Sequence, residues 1–168
     1  FDYQCGAGNR CAAAKSGADL IVIDSPGGPV SSSTRIANLI ADQKYPPVVV
    51  YVSKYAISGG AMAALACRTI VMRRRTQIGD IQPIMLDPSS PKKIVVAPEK
   101  FVSPIRAMLK THAEENGYSV AVCEAMVDPD IEVLRLTLTE PDEKIFVKRK
   151  DLDRLTSTEL GGRIVGEP

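Results

Sequence analysis

Tryptophan is absent from this chain, histidine occurs once, and the four cysteines form no CxxC pair. A single imidazole, His112, with Cys5, Cys11, Cys67 and Cys123 scattered along the sequence, offers no obvious ligand set for a zinc site. Cys67 and Cys123 lie in apolar surroundings and read as small core residues. The spacing of Cys5 and Cys11 permits a bridge, but nothing else supports one, and cysteine usage decides no compartment. Charge of one sign is lacking too: 21 Lys and Arg face 20 Asp and Glu, a net of +1. That balance argues against nucleic acid or an anionic membrane surface as the main partner. The one tight basic run, Arg73-Arg74-Arg75, reads as a solvated loop. No apolar run approaches the roughly 18 residues of a membrane span. The longest, 48–52 and 61–67, have core length. No signal peptide is visible. The chain opens on Phe1 rather than Met, so a fragment is expected, with any membrane contact made through segments outside it. The phosphate-binding patterns GxxxxGK[ST] and GxGxxG are both missing, which removes the usual nucleotide sites.

What remains is an ordinary globular composition: 168 residues, 45% hydrophobic, with twelve Gly and twelve Pro as punctuation. Residues 19–24 are a short apolar run ended by Ser25-Pro26-Gly27-Gly28-Pro29. This pattern predicts a buried strand entering a tight loop. Ser31, Ser32 and Ser33 offer N-caps for a helix through about Gln43, with Ile36, Ala37, Leu39 and Ile40 at helical spacing. After Pro46-Pro47 comes a second continuously apolar strand, 48–53. Strand, helix and strand in this style are the mark of a parallel sheet covered on both faces. A small-residue helix over 58–67, a strand over 69–72, and a short strand or loop over 78–85 follow. Residues 86–93, rich in Pro and Ser, read as an irregular excursion. An amphipathic helix is predicted over 98–116, with Phe101, Ile105, Met108 and Leu109 on its apolar side, and a short helix over 119–126. Beyond it, 131–138 and 145–148 alternate in a way that predicts a hairpin around 140–143.

Two glycine-containing loops each follow a strand and open a helix: Ser25-Pro26-Gly27-Gly28-Pro29 and Ile57-Ser58-Gly59-Gly60-Ala61. Loops at strand carboxyl ends are where open α/β sheets gather their sites. Glycine admits close backbone approach, and helix starts leave N–H donors unpaired. Ser58 at such an elbow has either of two roles: a nucleophile beside oxyanion donors, or an N-cap next to packing glycines.

The pair of loops resembles the Clp-fold serine peptidases of the signal peptide peptidase A and NfeD-type membrane-bound protease group. Asp24-Ser25-Pro26-Gly27-Gly28-Pro29-Val30 is similar to their D-[ST]-P-G-G-x-V loop. Residues 48–53, then Ala56-Ile57-Ser58-Gly59-Gly60, are similar to the strand and elbow that bear the nucleophile. Ile78-Gly79 with Gln82-Pro83, Glu99-Lys100-Phe101-Val102-Ser103-Pro104 and Met126-Val127-Asp128-Pro129-Asp130 resemble later segments, the middle one holding the family's catalytic lysine. The resemblance runs over about 18–131. It implies a Clp/crotonase-like α/β fold, parallel strands with covering helices, over 1–130 with a truncated N-terminal edge. Residues 131–168 would be a hairpin and loop extension of the same domain.

The resemblance also implies a serine endopeptidase with a Ser–Lys dyad: Ser58 as nucleophile, Lys100 as general base, and the N–H groups of Gly28 and Gly59 as oxyanion hole. Hydrophobic peptide segments or membrane-protein remnants would be the substrates, and this chemistry needs no metal or organic cofactor. Self-assembly into a homo-oligomer and membrane association in a bacterium or archaeon follow from the same likeness. A lysine base has to be neutral when it takes the serine proton, which asks for an apolar pocket with few carboxylates. Phe101 and Val102 suit that, whereas Glu99 opposes it unless it faces solvent. Lys110, on the same predicted helix, competes for the role but lacks the following Ser-Pro pair. A Ser-His-Asp triad through His112 is disfavoured, because the soluble Clp protease has its histidine directly before Gln-Pro and Ile81 stands there; His112 is expected on an exposed helix face. Two other readings are a non-catalytic scaffold of the same fold and a crotonase-type acyl-thioester enzyme.

Overall fold

One long strand organises the molecule. A computed structural model describes residues 17–43, 46–139, 143–157 and 163–165; the expectations for Cys5 and Cys11 and for the turn at 140–142 lie outside them. Strand β1 (Asp19–Ser25) runs parallel to β2 (Val48–Ile57), Asp19 opposite Val48 and Ser25 opposite Ala56. On its other edge β2 takes β3 (Thr69–Met72) and then β4 (Gln77–Gly79), both parallel. Val48, Val50, Val52 and Ala56 of β2 are buried, as expected of β-branched and small residues in a covered parallel sheet. The strand outruns the predicted 48–53 because β4 supplies a second partner for 55–57.

Helix α1 (Val30–Ala41) returns the chain from β1 to β2 and buries Ser33, Ala37 and Ile40. It starts earlier than the serines suggested. Pro29 holds the N-cap position with no side-chain cap, so Ser31, Ser32 and Ser33 lie inside the first turn. The proline ring sets φ at −55° and has no N–H to satisfy, which makes it a ready helix entry. Helix α2 (Gly59–Leu65) is buried at all seven positions. Its alanines 63 and 64 join the sheet and α1 cluster, while Ala61, Met62 and Leu65 join a second cluster with Ile105, Leu109 and Val127. Small side chains let α2 sit between those layers.

Strands β5 (Ile84–Asp87) and β6 (Ser90–Val96) correct the irregular excursion expected over 86–93: this stretch is half of an antiparallel hairpin. Asp87 makes the turn, its Oδ1 accepting from Ser89 N at 2.9 Å and from Ser89 Oγ at 2.6 Å. An Asx-type turn of this kind replaces the Asn-Gly signal of other hairpins. Helix α3 (Glu99–Asn116) follows, then α4 (Val120–Ala125), capped by Ser119. The C-terminal strands β7 (Val133–Leu138) and β8 (Glu143–Lys148) form the predicted hairpin, and β9 (Ile164–Val165) pairs with β7. Between β8 and β9 lies α5 (Leu152–Thr156). Leu134, Leu136 and Val147 give this sheet its own small core, and an ion pair from Lys148 to Glu124 joins it to α4.

Two residues of α3 depart from expectation. Phe101 is half exposed, and Val102 takes the inward place, with Ile105 and Leu109 buried and Met108 partly so. His112 is buried, only 5% exposed, with neither ring nitrogen hydrogen-bonded among the described residues. It stands three positions after Leu109 and so on the same inward stripe. Desolvation holds its pKa below the usual value, with Glu115 opposing weakly. The unfolded chain therefore binds a proton near pH 6.5 that the native state refuses, and stability falls as pH drops from that point toward the lowered native value. Above about pH 7 this contribution is fully present. His112→Leu should flatten that dependence and raise the melting temperature by a few degrees, because it removes a buried, unpaired imidazole. Melting curves at pH 5 and pH 7.5 check this; equal losses in both proteins would refute it.

Candidate active site

Strand β2 ends in an elbow. Ser58 has φ 51° and ψ −117°, a conformation that L-residues other than glycine rarely adopt. Such strain costs about 1–3 kcal/mol and survives only where neighbours enforce it. Here Ser58 N donates to Gly79 O at 2.9 Å, at the end of β4, and Met62 N donates to Ser58 O at 3.1 Å. Although Ser58 occupies the N-cap position of α2, its hydroxyl makes no capping hydrogen bond. The N-cap alternative therefore fails, and the Oγ is left for other chemistry.

The Pro-Gly-Gly loop packs directly on this elbow. A β-carbon on Gly27 would stand 2.6 Å from Ser58 Cβ and 3.1 Å from its Oγ; Gly27 also has φ +113°. A β-carbon on Gly59 would lie 2.0 Å from Ser33 Oγ and 3.4 Å from Gly28 N. On Gly60 it would meet Ser25 Cβ at 3.2 Å. The backbone of each of these glycines therefore lies against a serine side chain, where an added methyl group would collide. Gly28 N lies in the loop and Gly59 N at the elbow that meet here, and neither N–H has a hydrogen-bond acceptor among the described residues. Unpaired N–H donors beside a serine can receive an oxyanion. Gly27, whose missing side chain makes room for the Ser58 side chain, was not singled out from the sequence; the first glycine of a Pro-Gly-Gly turn is its only signal there.

The lysines separate clearly. Lys110 is exposed and pairs with Glu114 at 3.8 Å, one turn along the outer face of α3. It also lies about 15 Å farther along the helix than Lys100. Lys100 is in the first turn, exposed, with its Nζ 5.1 Å from the centroid of the Phe101 ring. No hydrogen bond joins Lys100 to Ser58. The structure thus sets the Gly27-Gly28 loop against Ser58 and Gly59, and joins Lys100 to none of them by a hydrogen bond. Glu99 is turned away, its carboxylate held by Arg106 at 3.1 and 3.2 Å. His112 is in the core among Leu109 and Ala113, which removes the triad alternative.

An apolar pocket of about 250 Å³ is lined by Val30, Pro83, Ile84, Met85, Ala97, Phe101 and Ile105. The outer face of the hairpin beside it exposes Ile84, Leu86, Ile94 and Val96, which are paired across the two strands. No group of His, Cys, Asp and Glu among the described residues could hold a metal ion. No described helix is long and apolar enough to cross a membrane.

Residues 9–148 match the family described as "NfeD1b, N-terminal domain". The membrane-bound protease PH1510 of Pyrococcus horikoshii is 32% identical over 115 residues, which are 67% of this chain and 26% of that protein. The membrane protein NfeD1b of Bacillus subtilis is 33% identical over 117 residues, 68% and 25% respectively. The chain thus spans about a quarter of the length of these curated relatives. Two solved structures of the 1510-N membrane-bound stomatin-specific protease are also similar. A serine-to-alanine mutant gives a TM-score of 0.61 at 31% identity, covering 68% of this chain and 56% of that one. A lysine-to-alanine mutant in complex with a substrate peptide gives 0.60 at 29%, covering 68% and 53%.

Proposed function

The chain belongs to the NfeD1b N-terminal domain family, and from that premise we propose that it is a serine endopeptidase with Ser58 as nucleophile and Lys100 as general base. The observation that carries this reading is the elbow itself: a strained serine whose hydroxyl caps nothing, at the meeting of two glycine loops. That a serine and a lysine are the residues replaced in the solved relatives supports the same pair. Ser58 Oγ attacks the scissile carbonyl as Lys100 Nζ takes its proton. The oxyanion accepts hydrogen bonds from Gly28 N–H and Gly59 N–H. Lys100 then protonates the leaving amine, and water hydrolyses the acyl-serine. The substrate class is an apolar peptide segment, such as a membrane-protein remnant, which the pocket beside Phe101 and the exposed hairpin face suit. Membrane association and assembly into a homo-oligomer belong to the same proposal. Substrate or a second copy then brings the Lys100 side chain to Ser58.

The exposed position of Lys100 favours one second reading, a non-catalytic scaffold of the same fold. Labelling with a fluorophosphonate probe across roughly pH 6–10 separates the two. Label is expected on wild type at Ser58, with none on Ser58→Ala and a loss of about a thousandfold in Lys100→Ala, while Lys110→Ala labels as wild type. A folded wild type that takes no label on Ser58 would overturn the peptidase reading in favour of the scaffold.

A further inference from the structure

The first turn of α3, which carries Lys100, is short of a backbone hydrogen bond. Pro104 lies inside the helix four residues after Lys100, so no N–H reaches back to the Lys100 carbonyl where an α-helix would place one. Side chains supply a tie across the proline. Glu99 and Arg106 are two turns apart and share a face of the helix. Arg106 Nη1 and Nη2 donate to Glu99 Oε1 and Oε2 at 3.1 and 3.2 Å. Nη2 also meets Asp128 Oδ2 at 2.9 Å, in the segment that follows α4. Two residues before it, Met126 O accepts from Ile81 N at 2.7 Å, and Met126 packs against Gly79, the residue whose carbonyl holds Ser58 N. One guanidinium thus connects the lysine turn to the support of the serine elbow. The Arg106 and Asp128 side chains are only 23% and 22% exposed, where solvent screens their attraction less than at an open surface.

We propose that Arg106 is a positioning residue for the proton transfer between Ser58 and Lys100: it fixes the Lys100 turn across Pro104 and neutralises the adjacent Glu99 carboxylate. The inference rests on the reading of Lys100 as the general base. The other charges on elements around α3 are matched or exposed. Helix α2 carries none, Glu124 of α4 pairs with Lys148, Asp87 of the hairpin pairs with Lys93, and Lys92 and Asp80 are exposed. Of the two carboxylates that Arg106 pairs, Asp128 is the anchor after α4 and Glu99 is the one next to Lys100.

The test measures the rate of fluorophosphonate labelling of Ser58 against pH in the full chain, for wild type, Arg106→Gln, Glu99→Gln and the double variant, with melting curves alongside. Arg106→Gln is expected to label about tenfold more slowly, a geometric loss of the size that small misplacements cause. Its half-maximal labelling should move to higher pH by about half a unit, since a freed carboxylate favours the charged lysine. Adding Glu99→Gln should return the half-maximum to the Glu99→Gln value while the slower rate persists. A purely structural role would slow labelling and leave the profile in place. Wild-type rate and profile in a folded Arg106→Gln would overturn the proposal, as would a profile that Glu99→Gln fails to restore. If Arg106→Gln does not fold, Arg106→Lys serves: it keeps the charge and loses the fork, so the rate should fall with the profile unmoved, and an unchanged rate refutes the proposal. Failure of the dyad itself shows separately, as wild type without label or Lys100→Ala with full label.

Discussion

Gly27→Ala should lower Ser58 labelling by about a thousandfold and destabilise the fold by about 1–3 kcal/mol. Two independent penalties act at this position. The backbone has φ +113°, a region that L side chains rarely adopt, and the new methyl would stand 2.6 Å from Ser58 Cβ and 3.2 Å from Ile57 O. The elbow cannot step aside. Ile57 is laddered to β4, Ser58 N is bonded to Gly79 O, and Ser58 O receives Met62 N. The Pro-Gly-Gly loop must therefore move instead, carrying Gly28 N–H away from Gly59 N–H. A donor pair that no longer converges on one oxygen loses most of its value in the transition state. Gly28→Ala provides the contrast in stability, because its added methyl meets nothing within 4 Å, and it should melt with the wild type. A Gly27→Ala protein that both labels and melts normally would mean that the loop and elbow are not in the contact described.

The parts of the fold that could be read from the sequence are those where residue type and periodicity agree. An apolar run ended by Pro-Gly-Gly, a helical period stopped by Pro-Pro and a second apolar run after it mark β1, the helix and the start of β2. Where the two disagreed, residue type misled. His112 was expected outside because it is polar, yet it continues the stripe Val102, Ile105, Leu109 that the spacing sets inward. Phe101 was expected inside because it is apolar, yet it lies one position off that stripe and is half exposed. The hairpin of β5 and β6 was hidden by Pro88 and Pro91, read as breakers, while its alternation Ile84, Leu86, Ile94, Val96 faces solvent rather than a core. The candidate site divides in the same way. Ser58, Gly28 and Gly59 stand in local motifs, and the structure assembles them. Gly27's contact with Ser58 and the Arg106 bridge from Glu99 to Asp128 join residues distant in sequence, and spacing alone carries no trace of either.

Gly59→Ala is the second large effect, and it tests how α1 holds the elbow. The new β-carbon would lie 2.0 Å from Ser33 Oγ and 2.9 Å from Ser33 Cβ. Rotating the serine away is costly, because its buried hydroxyl donates to Pro29 O at 3.0 Å and would be orphaned. Either α1 or the first turn of α2 must shift, at about 1–3 kcal/mol, and the Gly59 N–H shifts with it. Labelling should fall about a hundredfold or more. Ser33→Gly alone should cost about 1 kcal/mol, as glycine does within a helix. Together the two should melt close to Ser33→Gly rather than at the sum of both losses, since the two conflicting atoms are gone and the next, Gly28 N, stands 3.4 Å from the methyl. Ser33→Ala in the same background should rescue less, because its β-carbon still meets the methyl at 2.9 Å. Losses that simply add would refute the contact. Non-additive recovery of stability and labelling together would show that close approach of α1 to α2 places the Gly59 N–H, the proposed second oxyanion donor, so that the glycine after Ser58 serves the spacing of two helices as well as the reach of an N–H.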